Sequence, residues 1–292
     1  MYAAPPAKTA TRFARLPDTF RKGSRQDCFI EGPAFDRDGN LYVVNIPCGQ
    51  IIRISPAGEF ELVVEYEGEP NGLAIHQDGR IFVADHRNGL MVCDPTAGEI
   101  GPVIDRPRRE RFKGLNDLTF SSSGDLYFSD QGQSGLQDPM GRLWRWREST
   151  GALDLLLDNI PSPNGLAIAK DESLLYLAVT RANAIWRVPL RRTGGVGRVG
   201  VYIQLSGGAG PDGVAVAEDD KLAVAHLGMG SVWVFDERGR PHAEIMSPTG
   251  SMVSNVAFGG PERKTLYITE SGTGTLLRAE IEVAGKILFS HR

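Results

Sequence analysis

The chain of 292 residues carries 36 acidic and 32 basic side chains, and this net charge of −4 without a basic stripe argues against nucleic acid as a partner. No apolar run approaches the roughly 18 residues that span a bilayer, and the N-terminus lacks a signal-peptide pattern, so we expect a cytoplasmic protein that does not enter membranes. The cysteines Cys28, Cys48 and Cys93 show no CxxC spacing, which argues against a disulfide framework or a zinc cluster.

A repeated segment organises the whole chain. Each copy begins with a polar residue, continues through small or apolar residues to a turn and then enters a second alternating strand, at intervals of about 40–50 residues. In chain order the copies begin with Glu31-Gly32-Pro33, Asn71-Gly72-Leu73, Asn116-Asp117-Leu118, Asn164-Gly165-Leu166, Asp212-Gly213-Val214 and Asn255-Val256-Ala257. This period suits one four-stranded blade. The sequence therefore predicts an all-β protein, a single six-bladed β-propeller domain over residues 1–292.

Each copy contains further predicted strands after its first one. The second strands are expected at residues 41–44, 81–84, 126–129, 174–179, 222–225 and 265–269. Third strands are expected for example at residues 50–55, 143–147, 184–188 and 231–235, and outer strands at residues 60–66, 152–157, 199–205 and 243–247. The outer strand of the last blade comes either from residues 12–15 or from residues 286–290, and the sequence does not choose between them.

The first polar residue of each copy belongs to what we call the channel ring. Because the first strand of each blade lines the central channel, the shared phase of the repeat places these residues at equivalent positions. The members are Glu31, Asn71, Asn116, Asn164, Asp212 and Asn255. Asn-Gly and Asp-Gly also favour turns, and for any single position that interpretation stays open. Six acidic or amide residues in one phase, however, indicate a bound cation, and their hard oxygen donors favour calcium, magnesium or manganese.

A second set, the strand-end ring, consists of the last residue of each second strand. That strand returns antiparallel, so its end lies near the start of the first strand. The members are Asn45, Asp85, Asp130, Thr180, His226 and Glu270. This predicts a channel mouth crowded with titratable groups. Of the five histidines only His226 belongs to either ring, and both a structural and a catalytic role are open for it.

The same residues resemble the senescence-marker-protein/gluconolactonase family, which includes regucalcin and bacterial lactonases. The matching motifs are Glu31-Gly32-Pro33, Pro163-Asn164-Gly165-Leu166-Ala167, Pro211-Asp212-Gly213 and Phe258-Gly259-Gly260-Pro261. The resemblance implies lactone hydrolysis with one divalent cation in the channel, calcium first and zinc, magnesium, manganese or iron as alternatives. It implies Glu31, Asn164 and Asp212 as metal ligands. Asn116 matches a position that binds the metal in some members and contacts substrate in others.

One position departs from the regucalcin-like pattern. In that branch an arginine two residues before the Asn116 position helps to hold a sugar lactone, and this chain has Gly114 there. The segments 114–118 and 127–130 are more similar to the drug-responsive lactonase branch. The expected partner is therefore a small-molecule lactone that is not a simple aldonolactone, or is an aldonolactone held differently.

The predicted chemistry is attack of water on a lactone carbonyl that the cation polarises. Asp212 is the first candidate for the general base, and Asp130 or His226 could take the proton instead. Asn116 is a further catalytic candidate, and the expected substrate contacts are Asn71, Asn116, Asp130 and Asn255. Residues 131–140, whose glycines allow movement, are expected to influence specificity at the same mouth. The basic run 106–111 fits either a solvated loop or a surface that attracts an acidic substrate.

The same residues are compatible with other functions to different degrees. A metal-dependent phosphotriesterase would use the same cation site, whereas an interaction scaffold would not need acidic and amide residues in one ring. A non-enzymatic calcium-binding propeller also stays open. A quinone-dependent sugar dehydrogenase would need several basic channel residues, which the ring lacks. No GxSxG motif supports a serine hydrolase. We expect a monomer or a weak homo-oligomer.

Overall fold

The computed structural model describes residues 4–22, 26–192 and 194–292. Two short strands, β1 (Ala7–Thr9) and β2 (Thr11–Arg15), come first and join the last two blades. The first blade contains β3 (Ile30–Phe35), β4 (Leu41–Asn45), β5 (Gln50–Ile54) and β6 (Phe60–Glu65). The second contains β7 (Pro70–Ile75), β8 (Ile81–Asp85), β9 (Gly89–Asp94) and β10 (Glu99–Ile104). The third contains β11 (Leu115–Phe120), β12 (Asp125–Asp130), β13 (Gly141–Arg147) and β14 (Ala152–Ile160).

The second half of the chain repeats this order. The fourth blade contains β15 (Pro163–Ile168), β16 (Leu174–Val179), β17 (Ala184–Pro189) and β18 (Gly200–Gln204). The fifth contains β19 (Gly210–Val216), β20 (Leu222–Leu227), β21 (Ser231–Phe235) and β22 (Pro241–Met246). The sixth contains β23 (Val253–Gly259), β24 (Thr265–Glu270) and β25 (Thr275–Glu280) together with β2. These sheets confirm the prediction of a six-bladed β-propeller with four-stranded antiparallel blades.

The ring is closed by strands from both ends of the chain. Strand β2 pairs antiparallel with β25, so residues 12–15 rather than 286–290 supply the outer strand of the sixth blade. Strand β1 adds a parallel fifth strand to the fifth blade through pairing with β22. The C-terminal residues instead cross the end of the channel opposite the site described below, where the Lys286 ammonium donates to the carbonyls of Ile168 and Ala169. This segment ends in a 3₁₀ turn at Phe289–His291.

The core is divided among the six interfaces between neighbouring blades. For example, Val44 and Ile51 of the first blade pack against Leu73 and Val83 of the second. Likewise, Trp144 and Trp146 lie in the cluster shared by blades two and three. Alternating strands bury one face toward each neighbouring blade, which suits the apolar alternation of the sequence. Within the described ranges no helix is long and apolar enough to cross a membrane.

Candidate active site

A break in strand pairing occurs at the channel ring in every blade. The register of each innermost strand against its neighbour shifts at or beside the ring residue, for example between Leu115 and Leu118 and between Pro211 and Val214. Such bulges change the direction in which side chains point and are frequent next to functional sites. Here the bulge allows the ring residue and the residue after it both to face the channel.

The glycines after the ring residues lie inside strands, not in turns. A Cβ atom on Gly165 would come within 2.4 Å of the Asp212 carbonyl oxygen of the next blade. A Cβ atom on Gly213 would lie 1.9 Å from Oδ1 of Asn255. These contacts are too short for any side chain. The Asn-Gly and Asp-Gly pairs therefore permit neighbouring blades to approach closely around the channel, and the turn interpretation does not apply to them.

Most of the channel ring faces one cavity of about 530 Å³ at the mouth of the channel. Five of its six members line that cavity: Glu31, Asn71, Asn116, Asn164 and Asp212. We call the surface that these five residues form the floor of the mouth cavity. It brings together all four predicted metal ligands, although they come from the first, third, fourth and fifth blades. The sixth member, Asn255, lines a separate cavity of about 520 Å³ on the other side of the ring. The predicted contact between Asn255 and substrate is not supported by this placement, because the amide lines the other cavity.

Three mutually repelling carboxyl groups lie close together here: Glu31 and Asp212 line the mouth cavity, and Asp117 lines the cavity on the other side of the ring. Burial, together with the nearby Asp117 carboxylate, raises the pKa of Glu31 to about 8. Burial also raises the pKa of Asp117 to about 7. The pKa of Asp212 is raised well above its usual range by burial and by the charges of Glu31 and Asp117, while a hydrogen bond from Asn164 acts in the opposite direction. Three buried acids without a positive partner favour protonation or a bound cation.

Asp117 is the residue that the sequence interpretation missed. It occupies the place after the ring residue, where blades one, two, four and five have glycine. One of its oxygens accepts the backbone N–H of Leu118 at 2.8 Å, and the Asn255 amide lies 3.5 Å from the other. The same Asn255 amide donates to Oε2 of Glu31 at 2.7 Å. A carboxylate at a repeat position where four other blades have glycine is a signal that the sequence contains. The direction in which this side chain points, however, depends on the bulge.

The geometry fits an oxygen-coordinated cation. Oε2 of Glu31 accepts hydrogen bonds from the Gly32 N–H and from Asn255, whereas the buried Oε1 has no hydrogen-bond partner in the described chain. An unsatisfied buried carboxylate oxygen is costly, and a hard cation would satisfy it. Across the described residues no group of three or more His, Cys, Asp or Glu side chains is arranged as a metal site. A cation here would accordingly need the amide oxygens of Asn164 or Asn116 beside the carboxylates.

The strand-end ring has a different role from the channel ring. In four blades its side chain accepts the backbone N–H of the residue that precedes the first strand of the same blade. The pairs are Asn45 with Phe29, Asp85 with Glu69, Asp130 with Gly114, and Glu270 with Met252. Thr180 instead donates to the Pro211 carbonyl at 2.8 Å. These bonds fasten the entry of the innermost strand, so most of the polar groups at the mouth are structural.

The two alternative bases, Asp130 and His226, belong to this framework. Asp130 is fully buried, and beside Gly114 it accepts from Arg142 at 2.7 Å and from the Trp144 indole at 3.3 Å. Neither residue lines the mouth cavity. These contacts do not support the predicted roles of Asp130 in substrate binding or catalysis.

His226 is 1% exposed and uses both ring nitrogens within the fold. Its Nδ1 accepts the Trp233 indole N–H at 3.2 Å, so its Nε2 carries the hydrogen and donates to the Gly207 carbonyl at 3.0 Å. Burial lowers the pKa of His226, which favours this neutral tautomer. No nitrogen is left to accept a proton from water, and the predicted catalytic role of His226 is not supported by the geometry.

The loop after β12 forms one wall of the mouth cavity through residues 131–137. Ser134 anchors it, because its hydroxyl donates to the Gln131 carbonyl at 2.6 Å and accepts the Ser162 N–H at 2.9 Å. The predicted position at the mouth is therefore correct, while the anchoring favours a preformed wall over the expected mobile one. Beside this wall, a Cβ atom on Gly114 would meet the His86 ring at 2.3 Å. The imidazole occupies the space where an arginine side chain would begin.

The fold and the floor define the class of this protein as a β-propeller with a polar ligand cavity at one end of its channel. Residues 29–272 match the family model described as SMP-30/Gluconolactonase/LRE-like region. The chain belongs to this family, as the resemblance of its motifs predicts.

Individual relatives agree with this assignment. Lactonase drp35 of Staphylococcus aureus strain MW2 is 31% identical over 240 residues, which cover 77% of this chain and 72% of that protein. Lactonase drp35 of Staphylococcus epidermidis strain ATCC 12228 is 29% identical over 231 residues, covering 75% and 70%. The crystal structure of a calcium-binding protein, regucalcin, from Agrobacterium tumefaciens strain C58 superposes with a TM-score of 0.84 at 23% identity, with full coverage of both chains. At that identity the structural likeness concerns the fold.

Proposed function

We propose that this protein is a divalent-cation-dependent hydrolase that opens a small-molecule lactone. The observation that carries the proposal is the unpartnered Oε1 of Glu31, which lies with the buried Asp212 on the floor of a ligand-sized cavity and near the buried Asp117 below it. Buried acids of this kind are stabilised by a cation, and a cation at a cavity floor suits hydrolysis of a polarised carbonyl. The similarity to proteins named lactonases directs the choice of substrate class.

Glu31, Asn164 and Asp212 would hold the cation, with Asn116 as a further oxygen donor. Carboxylate and amide oxygens favour calcium over softer metals, in keeping with the calcium-binding structural relative. When bound, the cation supplies Lewis-acid polarisation of the lactone carbonyl and charge stabilisation on its oxygen. The Asn116 amide lies on the same floor and can orient that carbonyl.

Asp212 is the group best placed to move the proton. Its carboxylate faces the mouth cavity and is restrained there by Asn164. Asp117 faces the lower cavity instead, and Oε2 of Glu31 is already engaged. A water molecule adds to the lactone carbonyl carbon while Asp212 accepts its proton. Collapse of the tetrahedral adduct then breaks the ring C–O bond, and the proton passes to the leaving alkoxide, which gives the hydroxy acid.

An aldonolactone held by an arginine near residue 114 is disfavoured as the substrate. The His86 ring fills the space beside Gly114, so no longer side chain reaches the cavity from that point. A substrate would instead contact Asn71 and Asn116 on the floor and the wall at residues 131–137. Unlike the floor, this wall combines glutamine amides with one exposed apolar side chain, Leu136.

The test is a substrate panel measured with and without a chelator. Purified protein is assayed on γ-lactones, δ-lactones including gluconolactone, and an organophosphate triester, in calcium buffer and after EDTA treatment. We expect lactone opening that EDTA abolishes and calcium restores, with gluconolactone a poor substrate. Faster hydrolysis of the phosphotriester than of every lactone would move the function to the phosphotriesterase class. Full lactonase activity after removal of all divalent ions would overturn the cation dependence.

A further inference from the structure

Arg181 is the one positively charged side chain among the described residues that line the mouth cavity. It is exposed at the rim and makes no ion pair or side-chain hydrogen bond within the described chain. Elsewhere on the surface, many arginines are paired, for example Arg87 with Glu67 at 2.8 Å. Arg181 therefore presents a guanidinium to the cavity whose floor carries the carboxyl groups, and no other described side chain pairs with this guanidinium.

The repeat explains why Arg181 faces the cavity. It directly follows the strand-end residue of its blade, and the same position in three other blades also lines the cavity. Those residues are Ile46, Gln131 and Leu227. Gln131 is occupied by a hydrogen bond to Ser162 at 3.0 Å, while Ile46 and Leu227 are apolar. Among these four equivalent positions Arg181 alone offers an unoccupied charged donor toward a ligand.

The backbone of Arg181 is held in place on both sides. It lies in the 3₁₀ turn Thr180–Ala182. The Thr180 N–H donates to the Ser162 carbonyl at 3.0 Å, and the Asn183 N–H closes the turn on Thr180 at 3.0 Å. The Asn183 amide also donates to the Gly207 carbonyl at 2.7 Å. A side chain on a fixed turn loses less freedom on binding than one on a mobile loop, so this arginine is suited to a directed contact.

More unpaired positive charge lies on the segment that leads to the cavity wall. The segment after β10 carries Arg108, Arg109 and Arg111, which are exposed and form no ion pair with other described residues. This segment runs to Gly114, whose carbonyl accepts the Gln131 and Gly132 N–H groups at the base of the cavity wall. In a chain of net charge −4, Arg181 is thus joined by unpaired arginines on the segment that leads to the cavity wall. Positive charge on the approach to a site raises the local concentration of anions.

We propose that the substrate is an anionic lactone whose carboxylate is bound by Arg181 at the rim while its ester carbonyl lies over the floor. This inference rests on the proposed lactonase function and adds the chemical class of its substrate. A guanidinium and a carboxylate form charge-assisted, frequently bidentate hydrogen bonds, which fix direction as well as position. Arg181 is thus a specificity-determining residue, and it would align the lactone without taking part in bond breaking.

The test compares two substrates that differ only in charge, a γ-butyrolactone bearing a ring carboxylate and the matching primary carboxamide. The quantity measured is the ratio of kcat/KM for the carboxylate over that for the carboxamide. We expect the unmodified protein to prefer the carboxylate, and we expect Arg181→Gln to lower the ratio by about 10–100-fold, in line with loss of one charged hydrogen-bonded pair. Arg191→Gln changes an exposed arginine at the opposite end of the same blade, so this variant is the matched control and should leave the ratio unchanged.

The outcomes separate this inference from the proposed function. If lactones are opened but Arg181→Gln leaves the ratio unchanged, or the carboxamide is preferred from the start, the anionic substrate class is wrong and the lactonase proposal stands. If no lactone of either charge is opened, the proposed function itself fails. Thermal midpoints of both variants within about 2 °C of the parent show that folding does not cause the change.

Discussion

The channel ring and the strand-end ring lie at the same mouth, come from adjacent strands and both contain Asn, Asp and Glu side chains. Their side chains nevertheless differ in what they contact. Asp85 of the strand-end ring accepts from the Tyr66 hydroxyl at 2.7 Å and from three backbone N–H groups. Glu31 of the channel ring keeps one buried oxygen without any partner in the described chain.

This difference teaches that polar crowding alone does not indicate chemistry. A buried polar group whose hydrogen bonds are complete stabilises the fold and has nothing left to offer a ligand. A buried group whose hydrogen bonds are incomplete is costly unless something outside the chain completes them. By this criterion the floor is the functional region and the strand-end ring is its scaffold.

The largest effect is expected from Asp212→Asn, which keeps the shape of the side chain and removes its proton-accepting capacity. The kcat for lactone opening should fall by about 10²–10⁴-fold even at saturating calcium, the usual contribution of a general base. Glu31→Gln is the matched control, since it weakens the cation site without removing the proposed base. Equal recovery of both variants at high calcium would show that Asp212 acts only as a ligand.

In the strand-end ring, Asp130→Ala is expected to have a large effect on stability and little effect on kcat. Removing this carboxylate leaves Arg142 without its buried partner and should lower the free energy of unfolding by about 3–5 kcal/mol, as measured by urea denaturation. The kcat of the folded fraction, measured at low temperature, should stay within about threefold of the parent. A loss of rate comparable to that of Asp212→Asn, without loss of stability, would place Asp130 in the catalytic machinery after all.

The stability of the cation-free protein should depend on pH through the buried carboxyl groups at the channel ring. Burial raises the pKa of Glu31 to about 8 and that of Asp117 to about 7, so the folded, cation-free chain retains protons that the unfolded chain releases above about pH 4–5. The free energy of unfolding should therefore fall as pH rises from about 5 to 8. Calcium binds the ionised carboxylates and offsets this loss.

Differential scanning fluorimetry with and without 1 mM calcium measures this effect directly. The calcium-induced increase in thermal midpoint should be about 5 °C larger at pH 8 than at pH 5. The variant Glu31→Gln should show a smaller difference, because one of the titrating groups is absent. An increase that is independent of pH, or larger at pH 5, would argue against cation binding by these carboxyl groups.

The smallest effect is expected from His226→Gln. Glutamine can still donate to the Gly207 carbonyl but leaves the Trp233 indole N–H without its acceptor, which should cost about 1–2 kcal/mol of stability. Because the imidazole is not the base in this account, the pH dependence of kcat should keep its shape and midpoint. A shifted or flattened pH profile would show that His226 titrates during turnover.

Much of the fold could be predicted from the sequence, because propeller blades repeat and the repeat has a phase. The starts of all six innermost strands, to within two residues, and the five ring positions that line the mouth cavity follow from that phase. Asp117 could not be assigned, since the bulge that turns it into the channel is a backbone feature without a side-chain signature. The role of Asp130 depends on Arg142 and on a backbone N–H 16 residues away, which spacing alone does not reveal.

The most direct test of the account is the location of a bound cation in a crystal soaked in manganese, whose anomalous scattering identifies the ion. We predict one site per chain on the floor of the mouth cavity, coordinated by oxygens of Glu31 and Asp212 and by at least one ring amide. A manganese peak among the side chains of the strand-end ring, or no peak at the floor at saturating manganese, would contradict the claim that the channel ring reserves its oxygens for a ligand.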